Sequence, residues 1–410
     1  MRISLLLKRE PFSKILEQTL SAYWSEKYAK PIKVSWLRPW HFDFRRVAHE
    51  QCWLVNDYLN SIFLPEAPDT LFEPIRSEFS YSLVKWRRPI QKSFVRLALS
   101  WPTSLIFSTA LMLVSPALPQ DNQLLIIPGN HKIRLIDQEK RISVAIMKRG
   151  FDGRFINNEL DSRYLAEELG LPVPVLLDVA EDKSWFSEST ISGTPINRLT
   201  NGNQATQAQR LACHALQDFA KKTLVFIPFI EYLEGLQKAI QTQIANNHLF
   251  SEEQKLNLCA LVKVVADNAL DICSDAQESL GLVQTHGDFQ SANILLDQGR
   301  IWLIDWEYST RRQAGYDLLT LFLQSRHPVG LAGRLQIFEN EGPNGIMHDC
   351  SVSWPGISWA SRKERRMAAH LFLLEELLLH MEENDNPAFL ILGQGLTLVW
   401  NEIEQWQRQD

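Results

Sequence analysis

Two carboxylates and a carboxamide stand close together in the run His286-Gly287-Asp288-Phe289-Gln290-Ser291-Ala292-Asn293, followed by Leu303-Ile304-Asp305-Trp306-Glu307. Asp288 and Asn293 fall on one loop, and Asp305 follows Asn293 by twelve residues at the end of a second apolar run. Between them, Ile294-Leu295-Leu296 and Ile301-Trp302-Leu303-Ile304 flank Asp297-Gln298-Gly299-Arg300, which predicts a hairpin with its turn at Gly299. Such a hairpin carries Asn293 and Asp305 to the same end of the strand pair, where their oxygens can share one hard cation. A cation of that kind takes carboxylate and carboxamide oxygens, keeps several waters and bridges nucleotide phosphates. The chemistry that fits is phosphoryl transfer.

These residues resemble the aminoglycoside phosphotransferase and choline kinase branch of the protein-kinase-like fold. That branch carries H-G-D-x-x-x-x-N where protein kinases carry H-R-D-x-x-x-x-N, and D-x-E where they carry D-F-G. The resemblance spans roughly residues 120 to 400 and is strongest from Thr285 to Gln324. It implies an α+β, bilobal protein-kinase-like fold with a small β-rich N-lobe and a larger helical C-lobe. It further implies Asp288 as catalytic base, Asn293 and Asp305 as magnesium ligands, and His286 as a brace for the catalytic loop. Asp317, in Gly315-Tyr316-Asp317-Leu318-Leu319, matches an aspartate that supports the loop backbone from the following helix.

The small lobe that such a loop requires is visible upstream. Gln123 to Ile127 predicts a first strand, Pro128-Gly129-Asn130-His131 a tight loop, and Lys132 to Asp137 a second, alternating strand. After a turn at Gln138 to Arg141, Ile142 to Lys148 predicts a third. Val144-Ala145-Ile146-Met147-Lys148 is similar to the kinase strand whose lysine meets the nucleotide phosphates, which assigns that role to Lys148. A helix is expected from Ile156 to Gly170, with Glu159 in its first turn as the partner of Lys148. Leu171 to Leu176 resembles the proline-marked entry to a fourth strand. Ser184 to Pro195 resembles the fifth strand and hinge, where backbone groups near Glu188 to Ile191 would meet adenine. The phosphate-covering loop departs from the kinase pattern, with Gly129 alone in place of three glycines. ATP is the expected donor, and GTP remains an alternative.

No A-P-E element follows Asp305, and Asp317 comes only twelve residues later, too soon for a peptide-docking platform. The resemblance therefore implies a small-molecule hydroxyl acceptor: a sugar, an amino alcohol or an aminoglycoside-like compound. Trp306-Glu307-Tyr308 resembles the D-x-E-Y form of choline- and ethanolamine-type kinases and adds Glu307 to the substrate candidates. An apolar helix from Arg365 to Glu383 is interrupted by Glu375-Glu376. Neighbours on a helix diverge by about 100°, so the two are not expected to lie deep in one core. Two readings stand, a carboxylate clamp for the acceptor or a solvated helix edge, the commoner fate. Trp354, Trp359, Trp400 and Trp406 are further pocket candidates.

The chain has 410 residues and a net charge of −6, enough for two lobes and an extension and poorly suited to nucleic acid. Five scattered cysteines (Cys52, Cys213, Cys259, Cys273 and Cys350) form no C-x-x-C pair and suit a reduced cytoplasm. The apolar run from Met1 to Leu7 is too short for a secretory signal. The expected division is residues 1–120 as a mainly helical extension, 121–195 as N-lobe to hinge, and 196–410 as C-lobe. The extension carries Trp24, Trp36, Trp40, Trp53, Trp86 and Trp101, and a basic cluster at Lys85, Arg87, Arg88, Lys92 and Arg96. From Leu97 to Gln120 there is no charge, yet Pro102, Pro116 and Pro119 make a poor membrane span. A buried helix is expected there, with a peripheral membrane or protein contact through residues 85–120 as the second reading. Beside the kinase stands a reading from another class, a catalytically silent nucleotide-binding or interaction protein organised around the extension.

Overall fold

A computed structural model of the protein describes residues 2–37, 50–80, 86–119, 123–273, 278–324, 328–346 and 354–408. The chain forms two compact units: residues 1–156 with 175–190, and residues 157–174 with 191–410.

The first unit is built on one nine-stranded sheet. Helices α1 (Ile3–Arg9) and α2 (Phe12–Lys27) lead into strands β1 (Lys33–Leu37), β2 (Gln51–Asn56) and β3 (Ser61–Phe63). Helices α3 (Glu73–Phe79), α4 (Arg87–Leu99) and α5 (Thr103–Phe107) precede β4 (Ala110–Ser115). The expected three-strand run follows as β5 (Leu124–Pro128), β6 (Lys132–Asp137) and β7 (Ile142–Met147), and after α6 (Arg154–Glu168) come β8 (Leu176–Val179) and β9 (Trp185–Ser189). The strand order is β1-β4-β2-β3-β5-β6-β7-β9-β8. β3 and β5 meet through Ile62 opposite Ile126, so the sheet runs without a break from the extension into the predicted small lobe.

Strand alternation divides the core of this unit. Trp53, Val55, Met112, Ile126, Ile133 and Ile146 pack with Leu16, Leu20 and Trp24 of α2. Leu54, Leu111 and Leu125 point the other way, onto Ile75 of α3 and Val95 of α4. The extension is therefore not only helical: it contributes four strands. Nor is Leu97 to Gln120 one buried helix. It holds the end of α4, the short α5 and β4, which is paired on both sides, with β1 and with β2. A strand covered on both faces needs apolar side chains throughout, which accounts for its lack of charge. Trp40, Lys85, Gln120 and Cys350 lie outside the described residues.

The second unit is mainly helical. After β10 (Thr194–Pro195) come α7 (Gly202–Thr223), β11 (Val225–Pro228), α8 (Phe229–Asn246) and α9 (Glu252–Ile272). Strands β12 (Ser279–Gln284), β13 (Ile294–Asp297), β14 (Arg300–Leu303) and β15 (Arg311–Gln313) form two three-stranded sheets, β10-β13-β14 and β11-β12-β15. The chain closes with α10 (Tyr316–Leu323), α11 (Gly330–Glu341), α12 (Pro343–Ile346), α13 (Arg362–Glu382) and α14 (Gln394–Gln407). α13 starts at a capping box, in which the Ser361 hydroxyl accepts from the Glu364 N–H and the Glu364 carboxylate accepts from the Ser361 N–H. It is buried almost continuously from Ala368 to Leu377 and forms the spine of the unit's core. Among the described residues no helix is long and apolar enough to cross a membrane.

Candidate active site

The predicted hairpin is present. Gln298 and Gly299 form a two-residue turn with φ of 47° and 83°, the double left-handed geometry that matches strand twist. Ile294 then faces Leu303, and one rung further the Ile304 N–H donates to the Asn293 carbonyl at 3.1 Å. Asn293 and the residue before Asp305 thus sit opposite each other. Asp305 itself has φ 69°, a left-handed turn that breaks the strand immediately after Ile304.

The loop ahead of the hairpin is held from beneath. Asp317, near the start of α10, accepts from the backbone N–H of His286 at 2.7 Å and of Gly287 at 3.0 Å. Its burial pushes the carboxyl up to about 6 against those two hydrogen bonds and the charge of Arg312. Gly287 has φ 87°, and a Cβ there would fall 2.0 Å from the Tyr308 carbonyl oxygen, so no other residue fits. His286 is wholly buried against Trp306, with ring centroids 4.5 Å apart. Its Nδ1 lies 3.3 Å from the Asp288 N–H and its Nε2 3.0 Å from the Ile304 carbonyl, which fits a neutral ring protonated on Nε2. Burial lowers its pKa to about 4, against the pull of Asp305 and that carbonyl.

Asp288 sits at the open end of this frame. Gln290 Nε2 donates to both of its oxygens (2.9 and 3.0 Å), and Asn293 Nδ2 donates to Oδ2 at 2.7 Å and to its backbone carbonyl at 2.9 Å. Desolvation first, and then the negative charge of Asp305, push its pKa up to about 7, in the range useful for a general base. With the Asn293 nitrogen turned to Asp288, the amide oxygen is its metal-capable atom. An oxygen pair from Asn293 and Asp305 is the hard donor set that magnesium prefers, and a cation there would offset the repulsion between Asp305 and Asp288. The residues fit the ion.

Beside Asp288 lies a set of acids and tyrosines that the sequence reading only partly anticipated. Glu375 and Glu376 are both buried, so the solvated-edge reading is corrected. Each turns to a different neighbour. Glu375 accepts from Tyr232 Oη at 2.5 Å and from the Gln313 N–H and Nε2 at 2.9 and 2.7 Å, which occupies it structurally. Glu376 accepts from the Tyr316 hydroxyl. His380, one turn on, donates through Nδ1 to Glu383 at 2.7 Å and lies 4.0 Å from Glu376 through Nε2. Burial would lower the His380 pKa, but the hydrogen bond and charge of Glu383, with Glu376 and Asp288 behind it, raise it. The Tyr308 hydroxyl also donates to Glu383, which links the D-x-E-Y segment to α13. Buried Arg312 donates to Thr285 Oγ1 at 3.0 Å and the Tyr308 carbonyl at 2.9 Å, and its guanidinium lies over the Tyr316 ring. Glu307 is buried two residues beyond Asp305. Trp354 and Trp406 belong to the core of the unit, with Trp359 and Trp400 packed partly buried against it. His380, Glu383, Tyr316 and Arg312 were missed, because their roles depend on α13 returning to the loop; only Tyr308, in D-x-E-Y, gave a local signal.

The nucleotide candidates fall in both units. Gly129 caps the β5–β6 hairpin, its N–H donating to the Lys132 carbonyl at 2.9 Å. Glu188 is buried on β9 and ion-paired with Arg134. The N–H groups of Ser189 and Thr190 donate at 2.9 Å to Val175 and Arg141, and Ile191 follows them as the first residue of the helical unit's longer segment. Glu159 is buried in α6. Lys148 shares its sheet face with Val144 and Ile146, toward α2. Its ammonium is 0% exposed, 2.6 Å from Glu10 Oε1 and 2.8 Å from the Asn130 carbonyl.

Residues 197–326 match the model of the choline/ethanolamine kinase family. No curated protein matches the sequence. Similar solved structures include choline kinase LicA from Streptococcus pneumoniae, at 15% identity and TM-score 0.44, covering 72% of this chain and 92% of that one. A choline/ethanolamine kinase family protein from Mesorhizobium loti matches at 16% identity and TM-score 0.41, over 67% and 84% of the two chains. Aminoglycoside phosphotransferase APH(3'')-Id from Streptomyces rimosus matches at 20% identity and TM-score 0.40, over 62% and 92%. The loop, the hairpin and α10 all lie within the matched residues, so the segment that carries Asp288, Asn293, Asp305 and Asp317 is the part of the chain that is similar to the choline/ethanolamine kinase family.

Proposed function

We propose that the protein transfers the γ-phosphoryl group of ATP to the hydroxyl of a small, cationic acceptor such as an amino alcohol. The observation that carries this reading is Asp288, held by Gln290 and Asn293 with a pKa near 7, beside the acids of α13. Its carboxylate orients the acceptor hydroxyl and takes its proton as the acceptor oxygen bonds to phosphorus. The bond from the γ-phosphorus to the bridging oxygen breaks, and ADP leaves with that electron pair. Magnesium held by Asn293 and Asp305 would neutralise charge on the phosphates. The acids Glu376 and Glu383 favour an acceptor with a positive charge over a neutral sugar. Gly129, Glu159 and the backbone from Glu188 to Ile191 serve the nucleotide. Lys148 joins them once phosphate competes with Glu10 for its ammonium.

The test is magnesium-dependent ATP consumption across amino alcohols, sugars and aminoglycosides, with Asp288→Asn as the blank. Acceptor-dependent turnover confined to the amino alcohols, and absent from the blank, is the expected result. Equal turnover in the blank refutes the role of Asp288. Nucleotide binding without turnover on any acceptor supports the silent reading instead.

A further inference from the structure

Between Glu78 and Asp121 the chain has no acidic residue, although its net charge is −6. Within that stretch α4 carries Arg87, Arg88, Lys92 and Arg96. Its inner face is already used: Val95, Ala98 and Leu99 are buried in the core beneath the sheet. A second apolar stripe points outward. Trp86, Ile90 and Leu97, spaced i, i+4 and i+11, fall on one line along the helix and are 65%, 62% and 49% exposed. Trp101, Leu105 and Ile106 extend the surface through α5, with Ile106 at 79% exposed. Exposed single hydrophobes are ordinary, but a continuous set of this kind marks an interaction surface. Lys92 and Arg96 border the stripe on one side and Arg87 on the other, its guanidinium 5.2 Å from the Trp86 ring.

We propose that the α4–α5 face docks on a lipid surface with anionic headgroups. Tryptophan and aliphatic side chains enter the headgroup boundary while flanking lysines and arginines meet lipid phosphates, the pattern of an interfacial helix. Two helices that carry four basic residues and no acid, in an acidic chain, present a face complementary to an anionic bilayer. Docking of this kind needs no spanning helix, and it is independent of the phosphotransferase reading.

The experiment is flotation of the full-length protein with vesicles of phosphatidylcholine alone and of phosphatidylcholine mixed with phosphatidylserine. The protein should float with the mixed vesicles only, and added salt should release it. Arg87→Gln, Lys92→Gln and Arg96→Gln should each weaken binding about fivefold. The triple variant Trp86→Ser, Ile90→Ser, Ile106→Ser should abolish it while melting at the parent temperature, because all three side chains are exposed. Equal flotation with both vesicles, no flotation with either, or unchanged binding by the triple variant overturns the proposal. Self-association that the triple variant removes, without vesicle binding, overturns it in favour of a contact between copies.

Discussion

The ammonium of Lys148 and the carboxylate of Glu10, 138 positions apart, lie 2.6 Å from each other with no exposed surface on either side chain. Phe12 and Phe151 turn their rings toward the same ammonium, at 5.4 and 5.0 Å. The pair therefore ties the α1–α2 junction to the end of β7.

Breaking that pair leaves the buried ammonium without the Glu10 carboxylate. Glu10→Ala should destabilise the β-rich unit by about 3–5 kcal/mol, whereas replacing both partners, Glu10→Leu with Lys148→Met, should recover most of the loss. Denaturant unfolding of the two variants checks this; equal stability of Glu10→Ala and the parent would count against a clamp.

Asp288→Asn keeps the shape of the loop and removes the base. Turnover should fall by about 10²–10⁴-fold with little change in nucleotide affinity. In the parent the carboxylate must be ionised, so turnover should rise with pH through about 7, the position to which burial and Asp305 push it. Steady-state rates across pH, with nucleotide binding measured by calorimetry, separate the two effects.

Asn293→Ala and Asp305→Ala each delete one hard oxygen donor. Both should raise the magnesium concentration needed for half-maximal rate or abolish the metal requirement along with turnover. Titration of the rate with magnesium gives the answer directly, and an unchanged midpoint in both variants excludes them as ligands.

His286 makes stability depend on acid. Its folded pKa of about 4 lies below the ordinary imidazole value of 6.5, so its contribution is complete above 6.5 and is lost as pH falls toward 4. That contribution amounts to about 3 kcal/mol. Asp288 and Asp317, raised to about 7 and about 6, act in the opposite sense, binding protons more readily when folded and gaining stability as pH falls through those values. The difference between parent and His286→Gln in urea midpoint should therefore shrink as pH falls from 6.5 to 4. A constant difference would mean that the ring is not held neutral.

The local structure was legible in the sequence because its signals are short in range. The two-residue turn at Gln298-Gly299 and the alternation of β6 and β7 each depend on neighbours within a few positions. Partners far away were not legible. Glu375 is buried because Tyr232, 143 positions earlier, and Gln313, 62 earlier, bring it hydrogen bonds, and helix periodicity carries no trace of either. Lys148 departs from the kinase motif in its spacing. The kinase pattern V-A-I-K sets alanine and lysine two residues apart, on one face of the strand. In Val144-Ala145-Ile146-Met147-Lys148 they are three apart, and the lysine turns to the α2 side.

The seam at Ile62 and Ile126 bears on where this chain can be cut. β5 has β6 on one side and β3 of the extension on the other. A fragment beginning just before Gln123 would carry the whole choline/ethanolamine kinase match, yet it would present an apolar strand, Leu124–Pro128, with open hydrogen-bonding groups along that side. An edge of that kind recruits other chains. A truncation at that point is thus expected to self-associate, and residues 1–128 belong with β6 and β7 to one folding unit.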